Sequence, residues 1–253
     1  MRHAVIVLMA VSCLIVAARA QTAEELVSRN IQAKGGIDKI KAIKTLRMTG
    51  RLAAGGGFTF GVGQENQRPN LIRQTFSLQG MTAVQAYDGS VGWQIQPFQG
   101  HKDPELMGED DLRDLLLDSD FDGPLVESRE KGNVVEYLGH GVVDGDDALR
   151  LKVTLKNNDI IYYYLDPDTY LEIRKEIQQF IRGSLRERIV DLGSYKPVAG
   201  VMVPFSLSLG QKDNPGAQTV TVLKVDANVP IDSADFALPA SLKQAPKPDA
   251  EKK

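Results

Sequence analysis

The sequence predicts a mainly β protein of the α+β class, in which one antiparallel sheet curls around a few short helices. From Thr45 onward apolar residues recur at every second position, which is the period of a half-buried strand. The roughly ten strands predicted in this way are joined by short turns, which favours antiparallel pairing. The predicted helices are too few to cover a flat sheet on the order of 45 Å wide, so the sheet must curl around them.

Residues 1–20 have the layout of a secretory signal peptide. A short basic head precedes an apolar run over residues 5–17, and Ala18-Arg19-Ala20 fits a cleavage site. We therefore expect cleavage after Ala20 and export to the periplasm, and we leave residues 1–20 out of the fold.

Cys13 is the only cysteine of the 253 residues, and it lies within the predicted signal. The tetrad Ala10-Val11-Ser12-Cys13 resembles a bacterial lipoprotein box, in which the cysteine would be lipidated. Against this, alanine replaces the usual leucine and the apolar run continues past Cys13. We favour a soluble exported protein, with the lipidated form as the alternative. After cleavage no cysteine is left for a disulfide, thiol catalysis or metal ligation.

The charge balance argues against a nucleic-acid partner. The chain has 30 basic and 33 acidic residues, a net charge of −3, which offers no general attraction to polyanions. The C-terminal stretch is rich in proline and lysine and has almost nothing to bury, so residues 240–253 are predicted to be a disordered tail. No repeat or linker divides residues 21–239, which we expect to form one domain of a monomeric protein.

Three helices are predicted. The first lies in TAEELVSRNIQAKGG, where Thr22 can cap the helix, Glu25 completes a capping box and Gly35-Gly36 ends it. The second is the short segment IDKIKAIK, with isoleucines at helical spacing. The third interrupts the strands and has helical character around Leu115.

One face of the predicted sheet is persistently apolar, and we take it as the candidate ligand-binding surface. A sheet curled around few helices leaves apolar space between its layers. The candidate ligand-binding residues are Leu46, Met48, Leu52, Phe58, Phe60, Ile72, Phe76, Leu78, Trp93, Ile95, Leu151 and Val153. Any one of them, taken alone, is as well explained by packing in the core. The opposite face is predicted to carry Arg47, Arg51, Arg73, Arg150, Lys152, Glu172, Arg174, Glu176, Arg186 and Arg188.

The segment from Asn157 to Phe180 is apolar on both faces of its first strand, because Ile161 and Tyr163 alternate with Tyr162 and Tyr164. The sequence leaves open which of these tyrosines face the interior of the sheet.

The segment DSDFDG, residues 118–123, matches the beginning of an EF-hand calcium loop. The bidentate glutamate of such a loop would fall at Arg129, and Pro124 follows the glycine directly. We therefore interpret the segment as a turn and expect no metal site.

No catalytic or cofactor motif is recognisable. His101 and His140 lie near predicted loops and turns, where a lone histidine is usually only a surface residue. The sequence has no Gly-x-Ser-x-Gly elbow, no His-Glu-x-x-His and no glycine-rich phosphate loop. We expect neither an enzyme nor a bound cofactor.

Four segments together resemble bacterial outer-membrane lipoprotein-sorting proteins of the LolA-like kind. They are ELVSRNIQAKGGIDKIKAIKTLRMTGRL, YDGSVGWQIQPFQG, DFDGPLVESREKG and LRLKVTLKNNDIIYYYLDPDTYLEI, in that order along the chain. The resemblance covers almost all of the chain after the predicted signal, to about Pro239. These motifs are strand and turn signatures and include no catalytic fingerprint.

The resemblance implies a curved antiparallel incomplete β-barrel, with a few short helices covering the concave face and a cavity that holds lipid acyl chains. It implies a periplasmic, non-covalent carrier of an acylated lipoprotein or other lipid, with an inner-membrane donor and an outer-membrane acceptor as possible partners. The family also includes lipid-sensing regulators, so a regulatory or interaction protein on the same fold is the alternative. An exposed acyl chain costs about 0.8 kcal/mol per methylene in water, which is why transit through the periplasm needs an apolar container.

Overall fold

The computed structural model describes residues 21–181, 183–212 and 214–243. The predicted signal peptide with Cys13, and residues 244–253 of the predicted tail, lie outside the described residues. No helix in the described part of the chain is long and apolar enough to cross a membrane.

A single antiparallel sheet of thirteen strands dominates the described residues, and a two-stranded hairpin, β12–β13, accompanies it. The strands are β1 (Thr45–Ala53), β2 (Thr59–Gln67), β3 (Leu71–Leu78), β4 (Met81–Tyr87), β5 (Gly92–Gln96), β6 (His101–Leu106), β7 (Val134–Val143), β8 (Asp146–Thr154), β9 (Ile160–Leu165), β10 (Glu172–Ile181), β11 (Ser184–Gly193), β12 (Lys196–Val198), β13 (Val201–Val203), β14 (Ser206–Gln211) and β15 (Asn214–Ala227). Their order in the large sheet is β6-β5-β4-β3-β2-β1-β15-β14-β11-β10-β9-β8-β7. The strands β6 and β7 form its two edges, so the sheet is not closed into a barrel.

The described residues contain four helices, of which the sequence predicted the first three. They are α1 (Ala23–Ala33), α2 (Ile37–Ala42), α3 (Glu109–Ser119) and α4 (Ala240–Lys243). The Thr22 hydroxyl accepts a hydrogen bond from the backbone N–H of Glu25 at 3.1 Å, which confirms the predicted cap of α1. After α1 the chain turns through Gly35, whose φ of 118° favours glycine and whose added Cβ would lie 2.2 Å from the carbonyl oxygen of Gly200.

The sheet is strongly curved, because α3 contacts strands that are far apart in it. Leu115 of α3 packs on Ile72 of β3, whereas Asp114 is paired with Arg188 of β11. Four strands separate β3 from β11, so in a flat sheet they would lie about 24 Å apart. A helix is only about 10–12 Å across with its side chains, so the sheet must curl towards α3 from both sides. This open half-barrel confirms the predicted fold class.

The core lies between the concave face and the helices. Leu26 of α1 packs on Leu151 and Val153, and Ile40 of α2 belongs to the cluster that Leu46 joins. The helices α1 and α2 thus pack on different parts of the concave face, α1 on β8 and α2 at the beginning of β1.

The convex face has a smaller apolar cover over β4 and β5. There Leu238 and Leu242 pack against Val84, Ala86 and Trp93, after the chain has returned from β15. Residues 240–243, predicted to begin a disordered tail, instead form α4.

The strand register answers the question about the three tyrosines. Tyr163 pairs with Leu151 and is buried on the concave face, whereas Tyr162 and Tyr164 face the convex side. On that side the guanidinium of Arg150 lies 4.5 Å and 5.5 Å from the centroids of their rings.

Candidate ligand-binding site on the concave face

Five of the twelve candidate residues form a continuous apolar surface on the concave face. We call it the concave patch: Met48, Leu52, Phe60, Phe76 and Leu78. The register β1–β2–β3 puts all five side chains on the same face, because directly paired residues and every second residue share a face. All except Leu52 are only partly buried, so they are accessible to a ligand without repacking of the core.

Four other candidates share this face but are core residues. Leu46 packs beneath α2, Ile72 beneath α3, and Leu151 and Val153 beneath α1. Ile72, Leu151 and Val153 are fully buried by these neighbours. The helices therefore already occupy the positions that a ligand would need in order to contact them.

Phe58 lies at the tip between β1 and β2 and is 52% exposed. Beside it the rings of Phe60 and Phe98 meet edge to face, with centroids 5.6 Å apart. Phe98 was not among the candidates, because its short helical turn after β5 gave no periodic signal. These aromatic residues border the concave patch beside the turn between β1 and β2.

Trp93 and Ile95 do not lie on the concave face. Trp93 pairs with Ala86 and Ile95 with Val84, and both pairs lie on the convex side. The indole N–H of Trp93 donates to the carbonyl oxygen of Phe236 at 3.0 Å, beneath the C-terminal segment. The prediction that Trp93 and Ile95 belong to the apolar face of β1–β3 is therefore wrong. Both side chains are apolar because the C-terminal segment packs on them from the convex side.

The helix α3 crosses the concave face beside the patch, where its Asp118 accepts from Gln74, two residues from Phe76 on the same face, and we call it the cover helix. On one side Leu115 packs with Ile72 and Met107. On the other, Asp114 accepts hydrogen bonds from Arg188 at 2.8 Å and Arg186 at 3.3 Å. The cover helix thus joins both arms of the half-barrel, with an apolar contact to one arm and ion pairs to the other.

The concave face also carries charges that the sequence reasoning placed elsewhere. Arg186 and Arg188 share a face with Val190, and Glu172 pairs with Leu165, so all three face the concave side. For Glu172 the cause is a register shift in β10 between Glu172 and Arg174, which reverses the alternation. The prediction that these three residues lie on the outer face is therefore wrong.

Lys175 is a further interior charge that the sequence reasoning missed. It pairs with Tyr163 on one side and with Val190 on the other. Burial lowers the pKa of its ammonium, while Glu172 and Asp118 favour the charged form. The signal was present in the sequence, because Lys175 is two residues from Ile177 and so has the parity of an apolar position.

The segment DSDFDG does not gather its carboxylates around one point. Asp120 accepts from Lys131 at 2.6 Å and 2.7 Å, Asp122 from Arg68 at 2.6 Å and 2.8 Å, and Asp118 from the amide of Gln74 at 3.0 Å. Each acid thus has its own partner. Over the described residues there is no group of three or more histidine, cysteine, aspartate or glutamate residues that could hold a metal ion.

The two histidines that follow the predicted signal are both exposed and each meets one carboxylate. His101 Nδ1 lies 3.1 Å from Glu105, and His140 Nδ1 lies 2.8 Å from Asp147. Both pairs lie outside the concave patch, on β6 and on the β7–β8 hairpin.

The comparisons with known proteins agree with this architecture. A DUF1329 family protein from Desulfovibrio piger superposes with a TM-score of 0.59 at 12% identity, over 88% of this chain and 99% of that one. A LolA superfamily protein from Nitrosomonas europaea superposes with a TM-score of 0.58 at 10% identity, over 87% of this chain and 99% of that one. A Vibrio parahaemolyticus domain named for outer membrane lipoprotein sorting superposes with a TM-score of 0.50 at 12% identity, over 83% of this chain and 97% of that one.

Neither the family models nor the curated proteins contain a match to this sequence. At these identities the likeness establishes the fold alone: the chain has a LolA-like fold, as its sequence segments led us to expect.

Proposed function

We propose that this protein binds the acyl chain of a lipoprotein or other lipid non-covalently on the concave patch, and carries it through the periplasm towards the outer membrane. The observation that supports the proposal is the partly exposed apolar surface of Met48, Phe60, Phe76 and Leu78 beside the cover helix. A fourteen-methylene chain loses roughly 11 kcal/mol of unfavourable hydration when it is fully buried. In this proposal the cover helix moves over the bound chain, so that burial needs no chemical step.

The kinship of fold with LolA superfamily and lipoprotein-sorting structures supports the same proposal. So does the predicted signal peptide, which would deliver the chain to the periplasm. The donor at the inner membrane and the acceptor at the outer membrane remain part of the proposal, as does the absence of enzymatic activity.

A lipid-sensing regulator is the second candidate, and one surface feature favours it. A cleft of about 670 Å³ lies beside α1, between Val27 and Ile31 of that helix and Val135 of the edge strand β7. A protein partner could dock there while the concave patch holds lipid. Partner capture that persists after the lipid has been removed would favour the regulator over the carrier.

The decisive test places a carboxylate on the concave patch through Phe76→Glu. Phe76 pairs with Val62 and Ala83 on the concave face, and its side chain is only partly buried. An unpaired charge there is incompatible with an acyl chain, so binding of a fluorescent fatty acid should be lost. The fold should survive, because water can reach the carboxylate when no ligand is bound.

Two controls on the same strand separate binding from folding. Ser77→Glu puts the same charge on the convex face one residue away, and fatty-acid binding should remain unchanged. Ile72→Glu charges a fully buried position on the concave face and should unfold the protein. Thermal melting accompanies each titration. Undiminished binding by folded Phe76→Glu would refute the assignment of the patch, and unfolding of that variant would make Phe76 a core residue.

A further inference from the structure

Lys175 is a cation in the middle of the concave face. Its neighbours on the adjacent strands, Tyr163 and Val190, are both buried, yet the lysine itself is partly exposed. A residue flanked by buried neighbours on a concave surface can be exposed only to a space within that concavity. Lys175 therefore faces the interior of the half-barrel.

The carboxylates nearest to Lys175 are engaged by other residues. Glu172 accepts from Lys34 at 3.3 Å and from the hydroxyl of Tyr195 at 3.4 Å. Asp118 accepts from the amide of Gln74 at 3.0 Å. Among the residues that the structure describes, none forms an ion pair or a hydrogen bond with Lys175.

Arg188, beside Lys175, has a second hydrogen-bond donor without a partner among the described residues. Val190 pairs with Lys175 and Arg188 pairs with Ile177, so the two cations are diagonal neighbours on β10 and β11, about 7–8 Å apart at their backbones. One guanidinium nitrogen of Arg188 donates to Asp114, but its Nε is buried and has no hydrogen-bond partner within the described part of the chain. A buried donor without a partner is unfavourable, and an acceptor entering the space would relieve it.

An apolar path runs from these donors to the concave patch. Across the sheet from Lys175 the register passes through Val190 and then Leu209, both on the concave face. The next row continues from Leu207 through Val220 to Leu52 of the patch. Four strand spacings separate β10 from β1, about 19 Å along the sheet. A ligand that spans this path would have a polar group at one end and an apolar chain at the other.

We propose that Lys175 and Arg188 bind the anionic headgroup, a phosphate or a carboxylate, of the amphiphile whose chain lies on the concave patch. The proposal rests on the proposed function and narrows its ligand to anionic lipids. Four cations of the interior, Lys34, Lys175, Arg186 and Arg188, face three carboxylates, Asp114, Asp118 and Glu172, which leaves a net positive charge for the headgroup. Burial lowers the pKa of Lys175, and a bound anion would reverse that effect.

The test compares two detergents with the same alkyl chain, dodecyl phosphate and dodecyl maltoside, by isothermal titration below their micelle concentrations. The folded protein should bind dodecyl phosphate at least about tenfold more tightly, because a charge-assisted hydrogen bond adds to the same chain burial. Lys175→Met should remove this preference and leave the affinity for dodecyl maltoside unchanged. Lys175→Arg should preserve the preference, which a merely structural role of the lysine does not predict.

Lys224→Met is the matched control, since it removes a lysine from the convex face of β15 and should leave both affinities unchanged. Equal affinities of the unmodified protein for the two detergents would overturn the headgroup site while the carrier function stands. Binding of neither detergent would refute the carrier function, and the headgroup site with it. Inorganic phosphate alone is the third ligand. If it bound in a Lys175-dependent way and a dodecyl chain added nothing, the site would be for a free anion, which also overturns the proposal.

Discussion

Asp122 provides the strongest test of how the end of the cover helix is anchored. It lies three residues after α3, and its side chain is only 3% exposed. Both carboxylate oxygens accept from Arg68, at 2.6 Å and 2.8 Å, and Lys41 adds a contact of 3.2 Å. Arg68 also donates to the carbonyl oxygens of Ile40 and Ile43, at 2.9 Å and 2.7 Å. Asp122 therefore ties the loop after the cover helix to α2.

The substitution Asp122→Asn keeps the shape of this side chain but removes its charge. Removal of one partner of a buried ion pair typically costs 3–5 kcal/mol of unfolding free energy. The expected loss lies at the lower end, about 3 kcal/mol, because Arg68 retains its two carbonyl acceptors. Lys41 adds little to the loss, since about a third of its side chain is exposed to solvent. Urea unfolding at neutral pH measures the difference, and a loss below about 1 kcal/mol would refute the anchoring argument.

The pH dependence gives the same prediction an independent readout. Burial alone would raise the pKa of the Asp122 carboxyl, but the hydrogen bonds and charge of Arg68, then of Lys41, outweigh it and lower the pKa. A carboxyl with a lowered folded-state pKa stabilises fully above its unfolded pKa, about 3.9, and this contribution is lost as the pH falls through the folded value. The difference in unfolding free energy between the two proteins should therefore shrink below about pH 4. A difference that stays constant into acid would contradict the assigned ion pair.

Two further substitutions test the two faces of the sheet. Leu115→Ala removes a buried side chain of the cover helix that packs on Ile72 and Met107. It should lower the free energy of unfolding by about 2–5 kcal/mol and increase amide exchange across α3, and unchanged stability would contradict the packing. Trp93→Phe removes the hydrogen bond to the carbonyl oxygen of Phe236 on the convex face. It should lower the free energy of unfolding in urea by about 1 kcal/mol and leave fatty-acid binding unaltered. A loss of binding would contradict the observed face of Trp93.

Local patterns in the sequence were enough to predict the fold class and the helices α1, α2 and α3. Thr22 and Gly35 mark the two ends of α1 by chemistry that acts within a few residues. The alternation from Thr45 onward likewise placed Met48 and Phe76 correctly on the concave face. Such signals depend on the backbone and its immediate neighbours, so a single sequence contains them in full.

The sequence could not show which face of a strand is covered, since that depends on distant segments. Trp93 and Ile95 alternate as Phe76 and Leu78 do, but the segment that covers them follows β15, far along the chain. Glu172 was misplaced for a different reason. The irregularity in β10 changes the parity of every position before it, and no residue in the segment marks the shift.

The contacts of the cover helix with the two arms of the half-barrel bear on how a bound ligand would be released. The cover helix is held to β3 by Leu115, a buried apolar contact, and to β11 by Asp114 with Arg186 and Arg188. The side chains of these ion pairs are 25–46% exposed, and pairs in such settings contribute only about 0–1 kcal/mol each. The ion pairs of Asp114 therefore cost little to break, and the hold of the cover helix on this arm depends mainly on Arg113, which pairs with the buried carboxylate of Asp159 at 3.0 Å and donates to the carbonyl oxygen of Phe180 at 2.6 Å. Leu115 and Arg113 thus anchor the cover helix to opposite arms, and we expect faster amide exchange over the whole helix in Leu115→Ala because the variant weakens one of these two anchors.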